Sequence, residues 1–185
     1  MKKKYIGILS ILSLLFFATS CSNFLDEESK ENVEQNDNEV YTPEKVLTGV
    51  YGQFNSWDYA FSYLGITEII SDNADKGSSS TDAGGDKEIL DNLTYTSSAG
   101  SFLAMWSKWY KTIGAATQSI EFTQQAGLTD KTLEARYIAE ARFLRALNYF
   151  FLVRGWGAVP IQEYDLVARA STDSVYSYIK ADLQY

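Results

Sequence analysis

At 185 residues the chain is long enough for one domain with a real core, and 45% hydrophobic with 15% aromatic residues mark it as globular. It has no histidine and a single cysteine, which excludes Ser-His-Asp and Cys-His nucleophile systems and histidine-ligated metal centres. A net charge of −8 makes nucleic acid a poor partner, and no cofactor is expected.

Lys2–Lys4 and the apolar run Tyr5–Ala18 read as the basic and apolar regions of an export leader over 1–20. The run is shorter than the roughly 20 residues that a spanning helix needs. Small residues Ala18, Thr19 and Ser20 precede Cys21, a relaxed lipobox in which Cys21 becomes the acylated first residue. The alternative is an ordinary cleaved leader with a free thiol at Cys21. Between Asp26 and Glu39 seven acidic residues and one lysine leave little to bury, so 21–40 reads as a solvated acidic tether.

Thr42-Pro43-Glu44 is a helix start, with a hydroxyl cap, proline at the first position and an acid in the first turn. Val46, Leu47, Val50, Tyr51 and Phe54 extend one apolar face, predicting a helix over about 43–56. Phe61, Leu64, Ile66, Ile69 and Ile70 predict a second helix to about Ser71, packed antiparallel on the first. Asp72–Gly100 is polar and glycine-rich with only Ile89, Leu90 and Leu93 as apolar anchors, a long loop of the kind that carries function.

Helical periodicity resumes over 101–125 through Phe102, Met105, Trp106, Trp109, Tyr110, Ile113, Ala116 and Ile120. Gly127 and Asp130 break and recap the chain, and a long helix follows over about 130–154. Its apolar residues Leu144, Leu147, Phe150, Phe151 and Val153 read as core. Gly155, Gly157 and Pro160 stop it. Ile161–Ala170 is expected to be extended, and Ser171 caps a last helix with Val175, Ile179 and Leu183 on its apolar side. That side calls for a partner helix.

The stretch AEARFLRALNYFFLVRGWGAVPI over 139–161 resembles the signature of SusD/RagB-type outer-membrane lipoproteins of Bacteroidetes, with Ala158 where the family usually has Asp. Three further segments match in order. Cys21-Ser-Asn-Phe-Leu-Asp26 resembles the family's C-x-x-FLD opening. Trp106, Tyr110, Ile113 and Ala116 resemble its W-x-x-x-Y-x-x-I-x-x-AN segment, with Thr117 at the asparagine. Arg169, Ser171, Val175, Tyr176, Ile179, Asp182 and Leu183 resemble its R-x-S-x-x-x-VY-x-x-I-x-x-DL segment.

The resemblance implies an all-α fold of tetratricopeptide-like helical hairpins with long loops over 41–185, as the N-terminal portion of a longer family chain. It further implies a non-catalytic lipoprotein, anchored in the outer membrane through Cys21, that captures oligosaccharide for a SusC-like TonB-dependent transporter. The family's helix–loop region contributes ligand contacts. Here Trp57 and Tyr59 precede the polar loop that opens at Asp72, and sugars are held by aromatic faces with polar groups at the rim. Trp57, Tyr59 and Asp72 are therefore the candidate ligand-binding residues. The bland alternative makes Trp57 core and the loop merely mobile. A helical-repeat scaffold without glycan affinity is the competing function, and a carboxylate glycosidase the third, since no paired acid and base stands out.

Overall fold

The computed structural model describes residues 41–77, 79, 81–82, 85–161 and 167–185. The leader, Cys21 and the tether lie outside the described residues, as does the 162–166 part of the segment expected to be extended. The described chain is built from helices: α1 Pro43–Gly52, α2 Trp57–Leu64 continuing as a π turn Gly65–Ile69, α3 Asp86–Asp91, α4 Gly100–Ala126, α5 Lys131–Trp156 and α6 Thr172–Leu183. A two-residue antiparallel ribbon, β1 Val159–Pro160 with β2 Arg169–Ala170, lies between α5 and α6.

Caps set most of the boundaries. Thr42 Oγ1 accepts from Lys45 N at 3.3 Å and Pro43 takes the first turn of α1. The helix expected to reach residue 56 ends at Gly52 instead. Gln53, Phe54 and Asn55 each donate to the carbonyl three residues back, which tightens the last turn and closes the helix. Ser56 then caps α2 through Tyr59 N at 3.2 Å. Gly127 ends α4 at φ 57°, a left-handed position that glycine occupies without strain. Asp130 restarts the chain by accepting from Thr132 N and Leu133 N at 2.9 and 3.0 Å. Helix α5 runs straight through Gly155, and only Gly157, at φ 70° and ψ −119°, stops it.

Helices α4 and α5 form the central hairpin. Helix α1 packs on both, α2 packs on α4, and α6 packs on α5. One part of the core joins Leu47 and Val50 of α1 to Ala116 and Ile120 of α4 and to Ile138 and Leu144 of α5. Ala116 and Ala141 are fully buried, so the backbones approach closely there. The other part joins Tyr59, Met105, Trp109, Tyr149, Leu152 and Val175. Phe143 and Phe150 point outward, with Phe150 37% exposed, so the apolar face of α5 is narrower than its spacing suggested. Val175 and Ile179 find their partner within the chain, buried against α5, while Leu183 stays exposed. The burial of those two side chains contributes about 1.5–3 kcal/mol each.

One ion pair ties the layers together. Arg145 of α5 donates to Asp182 of α6 through Nε at 2.8 Å and Nη2 at 2.7 Å, and its Nη1 donates to Thr117 Oγ1 of α4 at 3.1 Å. Arg145 and Asp182 are both buried. Burial works against the guanidinium's charge, but the Asp182 hydrogen bonds and charge outweigh it and its pKa rises. Because removal of either partner strands a buried charge, Arg145→Met or Asp182→Leu alone should cost about 3–5 kcal/mol, and the double substitution less than either. Denaturant titration of the four proteins checks this; losses below about 1 kcal/mol for both single variants would refute it.

Candidate functional site

A cleft of about 610 Å³ opens between the π turn, the start of α4 and the end of α5. Its wall is aromatic because core rings turn their edges outward. Trp109 stacks on Phe151 with centroids 5.4 Å apart, and Trp156 stands edge-on to Trp109 at 5.6 Å. Tyr63 meets Phe151 edge-on at 5.7 Å, and Tyr95 meets Phe102 at 5.4 Å on the opposite side. Thr67, Ser97 and Arg154 add polar groups.

The π turn places part of this wall. Ile70 N donates to Gly65 O, five residues back, at 3.1 Å, so the turn is wider than an α turn and carries Ile66, Thr67 and Ile70 into the cleft. Gly65 sits in a tight contact: a Cβ there would lie 3.0 Å from Lys87 Cδ and 3.1 Å from Leu90 Cδ1, so a larger residue would have to displace those side chains by a few tenths of an ångström. The close neighbour is a buried lysine. The Lys87 ammonium lies 4.6 Å from the Phe61 ring centre and 3.0 Å from Asp86 Oδ2.

Asp86 does a second job. Helix α4 begins after Ala99, which has no capping side chain, and Ser101 N donates instead to the two Asp86 oxygens at 3.3 and 3.2 Å. Ser101 Oγ also donates to Asp86. A carboxylate fifteen residues upstream thus caps α4, where the helix dipole favours negative charge. This pins α3 to α2 and α4 and sets the position from which Tyr95 and Ser97 reach the cleft. Leu93 closes the same segment at φ 54°, a left-handed conformation that costs a branched residue about 1 kcal/mol.

The three residues expected from sequence do not converge on this cleft. Trp57 is 75% exposed and stacks on Phe61 at 5.2 Å, so it is a surface ring and not core. Asp72 is exposed in a separate recess of about 320 Å³, with Asp75, Asp91 and Leu93 nearby. Among the described residues no acidic group is arranged to hold a metal ion. Tyr59 is 7% exposed, and its hydroxyl accepts from Trp109 Nε1 at 3.2 Å. Burial raises its pKa against the opposing Trp109 hydrogen bond. It braces the cleft wall from behind. Of the cleft's residues, Trp109 and Phe151 carried only a core signal, since helical spacing marks the buried face and not the rim around it, while Tyr63 and Trp156 carried no signal of a site.

The SusD-like family model described as "Starch-binding associating with outer membrane" matches residues 23–185. The chain belongs to this SusD-like family. "SusD-like protein P2" of Formosa agariphila is 31% identical, with 75% of this chain matched to 29% of that protein. "SusD-like protein P25" of the same organism is 23% identical, with 97% of this chain matched to 37% of that one. A SusD superfamily protein from Bacteroides thetaiotaomicron, known as a crystal structure, superposes with a TM-score of 0.55 at 26% identity, covering 77% of this chain and 33% of its own. The chain therefore spans about a third of the length of these relatives.

Two expectations test the geometry. Tyr59→Ala should cost about 3–5 kcal/mol in denaturant titration, while Trp57→Ala should stay within about 0.5 kcal/mol. The second concerns acid. Burial raises the Asp86 pKa, but the Ser101 and Lys87 hydrogen bonds outweigh it and the folded-state pKa is lowered. A lowered folded-state pKa adds stability above the unfolded value of about 3.9, and that stability fades as pH falls through the folded value. Asp86→Asn should therefore melt below wild type at neutral pH, with the two melting temperatures converging below about pH 3.

Proposed function

We propose that this protein captures oligosaccharide at the cell surface and delivers it to a SusC-like TonB-dependent transporter, held to the outer membrane by lipid on Cys21. The observation that carries the binding reading is the aromatic cleft. Ring faces and edges suit the apolar sides of sugars, and Thr67, Ser97 and the tyrosine hydroxyls suit their rims. Membership in a family described as starch-binding and outer-membrane-associated supports the same reading. Among the described residues no carboxylate lines the cleft, whereas glycoside hydrolysis needs two flanking the bond, which supports binding over cleavage. Trp57 and Asp72 lie outside the cleft and are proposed as outer contacts for a longer glycan.

The intact protein should bind one class of oligosaccharide on a glycan array and release it unchanged. Tyr95→Ala, at the cleft rim, should weaken binding by about tenfold or more in calorimetry with little change in melting temperature. Trp57→Ala and Asp72→Ala should have smaller effects. A protein that binds no glycan but retains a protein ligand would favour the scaffold reading. For the anchor, labelling with an alkyne fatty acid should mark wild type and not Cys21→Ser; equal labelling would remove Cys21 from the role.

A further inference from the structure

The charge pattern of helix α5 singles out one arginine. Arg136 pairs with Glu140 at 2.7 Å, Arg145 with Asp182 at 2.7 Å, and Arg142 lies 3.8 Å from Asp182. Arg154, in the last turn, meets no carboxylate among the described residues and rests over the Phe150 ring with its guanidinium carbon 5.2 Å from the centroid. It is exposed, and among the described residues it is the only charged one lining the cleft.

Arg154 also stands where a cation suits the helix dipole, so a purely structural role must be weighed. A capping role would show as hydrogen bonds to the last carbonyls, and the described contacts of Arg154 are confined to the ring. The rest of the lining points the same way. Among the described residues it contains no Asp, Glu, Asn or Gln, and its side-chain acceptors are the hydroxyls of Tyr63, Thr67, Tyr95 and Ser97. An anionic sugar brings acceptors of its own, and a guanidinium binds a carboxylate or sulfate through two parallel hydrogen bonds.

We propose that the cleft selects anionic saccharides, with the Arg154 guanidinium reading the charged group while the rings hold the sugar. The proposal rests on the glycan-capture reading and narrows its ligand class. Stacking of Arg154 on Phe150 restrains the guanidinium, which lowers the ordering cost of binding.

The test uses the intact protein on an array carrying neutral, uronate-bearing and sulfated oligosaccharides, followed by calorimetry. Tetragalacturonate and its methyl ester serve as one matched pair, and a carrageenan tetrasaccharide with and without its sulfates, neutral when desulfated, as another. We expect an acidic member to bind better than its neutral counterpart, and the pair concerned tells carboxylate from sulfate. Arg154→Gln should lower that affinity by about tenfold or more without shifting the melting temperature, and Arg154→Lys should lose less. Arg136→Gln, equally a surface change on α5, should leave binding alone. Binding of neutral oligosaccharides with the same affinity in wild type and Arg154→Gln would overturn the anionic selection and leave glycan capture standing. Failure of the intact protein to bind any glycan on the array would overturn both.

Discussion

The bidentate contact between Arg145 and Asp182 is the constraint on which the arrangement of the long helices depends. A buried charge pair is not an efficient source of stability, because desolvation offsets most of the attraction. Its use here is geometric. The planar fork meets both carboxylate oxygens in one orientation only, and its remaining nitrogen reaches Thr117 on α4. Three helices are thereby held at one rotation and one height relative to each other. A sliding movement of α5 that hydrophobic side chains would tolerate breaks two charge-assisted bonds at once.

That registry is what makes a cleft possible. Phe151 and Trp156 belong to α5, Trp109 belongs to α4, and the wall exists only when they meet at the observed spacing. The same rings serve as core on one side and as lining on the other. Tyr110 illustrates the buried half of this division: its hydroxyl donates to Pro160 O at 2.8 Å, and burial pushes its pKa up to about 12. Rigid rings with satisfied polar ends make a preorganised surface, whereas flexible side chains would have to be ordered on binding.

Local features of this fold were legible in the sequence because their causes are local. Thr42, Ser171, Asp130 and Gly127 act on chain within a few residues, and each marks the boundary its chemistry implies. The family motifs contained both Arg145 and Asp182, yet nothing in either segment says that they pair across 37 residues. The cap on α4 was invisible for the same reason, since the helix begins at alanine and borrows its carboxylate from α3. The burial of Tyr59 was not legible either, because a tyrosine at a helix junction has the same local pattern whether its ring faces solvent or Trp109. The cleft itself arises from three elements brought together by packing, and helical spacing records only which face is inside.

The π turn at Gly65–Ile69 bears on how such a site can change between relatives. A five-back hydrogen bond is what a helix retains after accepting one extra residue, and each residue in an α-helix corresponds to about 100° of rotation. Loss of one residue from this turn would restore the ordinary pitch and swing Ile66 and Thr67 relative to α4 and α5. The aromatic half of the wall would be untouched. A length change of a single codon at this point is thus a route by which the cleft could be reshaped for another ligand, with the buried ion pair left in place.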